Sequence, residues 1–71
     1  MKLLSILLAF FFFLGNYGGY IALFPSEKAD PVEIFPYKVS SLPPADQEKL
    51  HAGIPIETEQ ELVQILEDYL S

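Results

Sequence analysis

Thr58-Glu59-Gln60-Glu61-Leu62-Val63-Gln64-Ile65-Leu66-Glu67-Asp68-Tyr69-Leu70 decides how the rest of the chain is read. A threonine at the N-cap with a glutamate three residues on forms a capping box, in which each side chain satisfies a backbone N–H left open at the helix start. From there Leu62, Ile65, Leu66 and Tyr69 recur at i, i+3, i+4 and i+7, and Val63 and Leu70 widen the stripe. Gln60, Gln64, Glu67 and Asp68 fall on the other side, toward water. A helix with one apolar stripe must cover another surface, so the residues before it are expected to supply a sheet face.

Upstream, Ile54-Pro55-Ile56 reads as a short extended connector. Pro43-Pro44-Ala45-Asp46 opens another helix, with proline in the first turn and an acid near the positive helix end. Gln47 to Ala52 continue that helix, and Gly53 is its expected stop. Val32-Glu33-Ile34-Phe35 reads as a strand that bulges or reaches an edge at Pro36, because proline cannot donate to a ladder. Tyr37 and Val39 are expected to share one face beyond it. A polar loop, Pro25 to Pro31, joins this strand to Tyr20-Ile21-Ala22-Leu23-Phe24, an aromatic and branched run bounded by Gly19 and Pro25. The expected class is therefore α+β. A small antiparallel β-hairpin or three-stranded sheet is covered by two short C-terminal helices and preceded by a hydrophobic segment. The expected boundaries are 1–18 for that segment and 19–71 for the domain.

The hydrophobic segment has two readings. Lys2 followed by twelve uncharged residues, Leu3 to Leu14, has the order of a signal peptide or signal-anchor. No clean pair of small residues marks a cleavage point, so both an uncleaved anchor and an exported, cleaved form stand. Either places the domain outside the cytoplasm. Phe10 to Leu14 could instead form a buried first strand, with Asn16 to Gly19 as its hairpin turn.

Composition narrows the function classes. With 71 residues the chain holds one small domain, whose core is marginal. It has no cysteine, which excludes disulfides, thiolate zinc sites and a cysteine nucleophile, and its single histidine excludes a multi-histidine metal cluster. Beyond Lys2, three lysines face ten acids, a net of −7, and there is no arginine. Such a chain repels phosphate, so nucleic acid is excluded as a partner.

The remaining chemistry-bearing residues have structural explanations. Glu57, Glu59, Glu61, Glu67 and Asp68 lie on or beside a helix rather than around a glycine-centred calcium loop, and read as capping and solubility. His51 sits in a last helical turn, where a cation suits the negative end. Ser40 and Ser41 precede a proline-led helix and are expected to cap or shape its start, with no base positioned to activate them. No catalytic, cofactor-binding or metal-binding residue is assigned, and the protein is not expected to be an enzyme.

Gly19-Tyr20-Ile21-Ala22-Leu23-Phe24, Val39-Ser40-Ser41-Leu42-Pro43, Ala45-Asp46-Gln47, Leu50, Gly53-Ile54, Glu61-Leu62 and Leu66-Glu67-Asp68-Tyr69 occur in an order that resembles the C-terminal domain of the bypass-of-forespore C family. The likeness spans about Asn16 to Ser71, and order and spacing carry it rather than any one motif. It implies an exported protein of endospore-forming bacteria, in a family linked to restraint of a signalling protease between two membranes. Full-length members have a further domain before this one; the chain is similar to short relatives that carry a membrane leader and this domain alone. The partners expected are the membrane, through the apolar segment, and an extracytoplasmic protein. The competing expectation is a structural envelope protein without a regulatory partner.

Overall fold

The computed structural model describes residues 11–70. Expectations for the first ten residues, including the basic start and most of the apolar leader, lie outside the described residues.

The class is α+β, and the sheet is larger than expected. It has four strands, β1 (Phe12–Tyr17), β2 (Tyr20–Phe24), β3 (Glu33–Lys38) and β4 (Ile54–Ile56), in the order β3-β2-β1-β4. Every neighbouring pair is antiparallel. Two helices complete the fold, α1 (Pro44–Ala52) and α2 (Glu59–Leu70), with one 3₁₀ turn at Val39–Ser41.

The two added strands correct a sheet of two or three. Phe12–Tyr17 is an inner strand, hydrogen-bonded to β2 on one side and β4 on the other. The folded unit therefore extends well before the expected boundary at Gly19. Its hairpin closes through Gly18 and Gly19, at φ 61° and 93°. Two successive positive φ values match the right-handed twist of the flanking strands, and only glycine adopts them without strain. The Gly19 N–H also donates to Asn16 Oδ1 at 2.9 Å. Ile54-Pro55-Ile56, expected as a connector, is β4: Phe12 pairs with Ile56, Phe13 with Pro55 and Leu14 with Ile54.

Strand β3 departs from regular pairing where proline requires it. Tyr20 pairs with Lys38 and Ala22 with Ile34, so Phe35, Pro36 and Tyr37 together face Ile21 across a bulge. That irregularity also separates Tyr37 from Val39: Tyr37 stays exposed, whereas Val39 turns into the core from the 3₁₀ turn.

One face of the sheet carries the core. Leu14, Ile21, Leu23 and Ile56 meet Val39 and Leu50, all nearly inaccessible to water. Leu50 is the one fully buried side chain of α1 among the described residues. Helix α1 opens after Pro43, carries Asp46 in its first turn, and stops at Gly53, whose N–H donates to the carbonyls of Leu50 and Lys49. Ser41 does not cap α1 as expected; its hydroxyl donates to the Lys38 carbonyl at 2.7 Å and closes the 3₁₀ turn instead. Gln47 ties the turn to the helix by donating to the Leu42 carbonyl at 2.7 Å.

Helix α2 starts as the capping pattern requires. Thr58 Oγ1 accepts from the Glu61 N–H at 3.1 Å. The return bond is displaced by one residue, since the Glu61 carboxylate accepts from the Glu57 N–H at 2.9 Å. Leu62, Ile65, Leu66 and Tyr69 pack against the core, each partly buried. Val63 and Leu70 do not join them and remain about half exposed, at 47% and 52%. The stripe is narrower than its sequence suggests because α2 rests against the short strand β4 at one side of the sheet.

Candidate functional site

The helices pack into the core on one side of the sheet. Strand alternation sends the residues between the core positions to the other side. Register places Phe13 opposite Phe24, Gly15 opposite Ala22, and Tyr17 opposite Tyr20, with Ile34 beyond Ala22 and Pro55 beyond Phe13. This second face is apolar and rich in aromatic rings; Ala22 at its centre is fully buried, the end of α1 reaches its margin at Gly15 and Phe13, and Phe11, Tyr17, Tyr20 and Ile34 stay exposed on it.

Its centre is built on small residues. A Cβ on Gly15 would stand 3.2 Å from Phe24 Cε1 and 3.4 Å from the Leu50 carbonyl oxygen. Glycine therefore lets the Phe24 ring settle over β1 while the end of α1 approaches from the side. Tyr17 meets Phe24 edge-on, with ring centroids 6.2 Å apart, and Phe11 meets Phe13 edge-on at 5.6 Å. Such pairs hold rings in place beyond what burial alone provides. Beside them runs an open groove of about 450 Å³, lined by Phe13, Tyr17 and Phe24 and rimmed by Glu27 and His51.

The sheet edges are less suited to recognition. Both outer strands contain a proline, Pro36 in β3 and Pro55 in β4. Proline has no N–H to offer an added strand, and β4 is only three residues long. Recognition through a sheet edge thus meets poor geometry, and the face is the better surface.

The chemistry-bearing residues do not converge. His51 is exposed at the end of α1. Ser40 and Ser41 lie in the exposed 3₁₀ turn, and Ser41 is committed to a backbone carbonyl. Glu59 and Glu61 occupy the first turn of α2, and Glu67 lies toward its other end. Asp68 and Asp46 act on Tyr69: burial first, then these two carboxylates, hold its phenol above the ordinary value. Among the described residues no three histidine, cysteine, aspartate or glutamate side chains are grouped so as to hold a metal ion. No described helix is long and apolar enough to cross a membrane.

The family model for the BofC C-terminal domain matches residues 12–71. The chain belongs to this family. The match begins at Phe12, the first residue of β1, so the BofC C-terminal domain takes in the strand that the resemblance in sequence, starting near Asn16, left out. No curated protein matches the chain, and no solved structure does. The aromatic face as a whole, joining three strands, was not read from the sequence. The signal for it was alternation through Phe11, Phe13 and Tyr17, hidden because the intervening Phe12 and Leu14 are apolar as well.

Proposed function

We propose that this BofC C-terminal domain is a non-enzymatic protein-interaction module, held at the outer surface of a membrane, that regulates an extracytoplasmic protein. Family membership over residues 12–71 is the observation that carries this reading. The link between the family and restraint of a signalling protease gives it direction toward regulation in sporulation. The scatter of His51, Ser41 and the acids over separate surfaces supports binding rather than catalysis. Lys2 and the apolar run after it have the order of an export signal, which supports an extracytoplasmic position.

Co-purification from gently solubilised membranes tests the regulatory part. A regulator brings down one protein in constant stoichiometry; recovery of the chain alone from every membrane preparation favours a structural envelope role. A reporter active only in the cytoplasm, fused after Ser71, tests position. It should be silent, and strong activity would reverse the topology.

A further inference from the structure

The aromatic face of the sheet has a definite chemical character and a definite neighbour in sequence. Phe11 and Ile34 are each 50% exposed on it, Tyr17 47% and Tyr20 39%. Charge is segregated away from it. Seven of the ten acids, Asp46, Glu48, Glu57, Glu59, Glu61, Glu67 and Asp68, belong to the helices or the link into α2, on the other side of the sheet. Glu33 is also directed there by its pairing with Leu23. The charged side chain that pairing places on the aromatic face is Lys38, opposite Tyr20, and Glu27 stands at the rim. Ten residues precede the described part, and eight of them, Leu3 to Phe10, are uncharged and mostly apolar. They join the fold at Phe11, whose ring lies against Phe13 on this same face.

We propose that the aromatic face lies on the interfacial region of a zwitterionic bilayer, with the acidic helix layer turned toward water. This rests on the membrane location proposed above and adds which surface of the domain meets the lipid. Tyrosine rings suit that depth because the ring enters the apolar boundary while the hydroxyl stays among headgroups. Lys38 extends its stem across apolar surface and carries its ammonium to the headgroup phosphates. Acids on the far side keep their hydration, and the net charge of −6 selects against strongly anionic lipid. The described chain begins at Phe11, on the face that docks.

The chain lacks tryptophan, so single replacements report from chosen positions. The full chain carrying Tyr17→Trp, on the aromatic face, is compared with the full chain carrying Val63→Trp, on the exposed side of α2. Each is mixed with phosphatidylcholine vesicles, with and without bromine on the acyl chains, and vesicle-bound protein is collected by sedimentation. Tyr17→Trp should shift its emission to shorter wavelength and lose more than about half of it to brominated lipid, while Val63→Trp is unaffected. Sedimentation with the vesicles but no quenching at position 17 would overturn the docking while leaving the membrane location intact. A blue-shifted, unquenched signal at position 17 would mean that a second copy or the first ten residues cover the face, and also overturns it. Equal quenching at both positions would show no preferred face. Failure to sediment with vesicles at all would remove the membrane location itself.

Discussion

Removing residues 1–18 should abolish folding. A fragment beginning at Gly19 keeps β2, β3, both helices and β4, which would suffice if the residues before the glycine turn were only a leader. In the structure β1 is the strand that joins the two halves of the sheet. Its loss removes five residue pairs with β2 and three with β4, and leaves β4 without a sheet neighbour. Leu14 is fully buried, and Phe12 and Phe13 are partly so. Full burial of one such side chain contributes about 1.5–3 kcal/mol, so these three together supply about 3–6 kcal/mol. A domain of this length has about 3–9 kcal/mol in all. Ile56, fully buried against β1, would lose part of its cover as well. The remaining two-stranded β2–β3 pair is marginal by itself. Far-ultraviolet circular dichroism with urea titration compares residues 12–71 with residues 19–71. The longer fragment should unfold cooperatively and the shorter one should show no transition. A cooperative transition of similar midpoint in residues 19–71 would refute the assignment of β1 to the fold.

Thr58→Ala removes the acceptor for the Glu61 N–H and should cost about 1 kcal/mol in a urea melt. Leu50→Ala empties a position that is 1% exposed and should cost about 2–5 kcal/mol. Leu66→Ala, only partly buried, should cost less than Leu50→Ala when both are measured in the same urea melt. Burial, and then the carboxylates of Asp46 and Asp68, raise the Tyr69 phenol above 10.0, so the folded state favours its neutral form. The stability gained is fully present below the unfolded value and is lost as pH rises through the folded one. Urea midpoints should therefore fall above about pH 10, and Tyr69→Phe should reduce that fall.

The helices were legible because their signals are local. A threonine and a glutamate at capping distance, prolines before Asp46 and a glycine after Ala52 each act within a few residues, and both helices lie where those signals place them. Strand β4 was not legible, since three residues centred on a proline show no alternation that separates a strand from a connector. Only Phe12 to Leu14, forty residues away, make it one. The face of the sheet was hidden for a related reason. Strands that are apolar on both sides read as buried on both sides, and which side the helices take depends on their packing, with Leu14, Leu23 and Ile56 on one side and Phe13 and Phe24 on the other. Width of the α2 stripe failed likewise: Val63 and Leu70 have apolar side chains, but the sheet does not reach them.

Phe12, Phe13 and Leu14 show why the first part of the chain had two readings at once. They complete the twelve-residue apolar run that begins at Leu3, and they are also the three residues through which β1 holds β4. Hydrophobicity suits both a lipid environment and a protein core, because each removes the same surface from water. Backbone hydrogen bonding does not suit both. In the sheet these residues bond across to neighbouring strands, whereas in a bilayer a single segment satisfies its N–H and C=O groups within a helix. The three residues therefore occupy one environment at a time. Drawing them into lipid would take Leu14 from the core and separate β4 from the sheet, so the folded domain sets the limit of any membrane segment at about Phe11. At that limit Phe11 stands beside the Phe13 ring, on the aromatic face of the sheet.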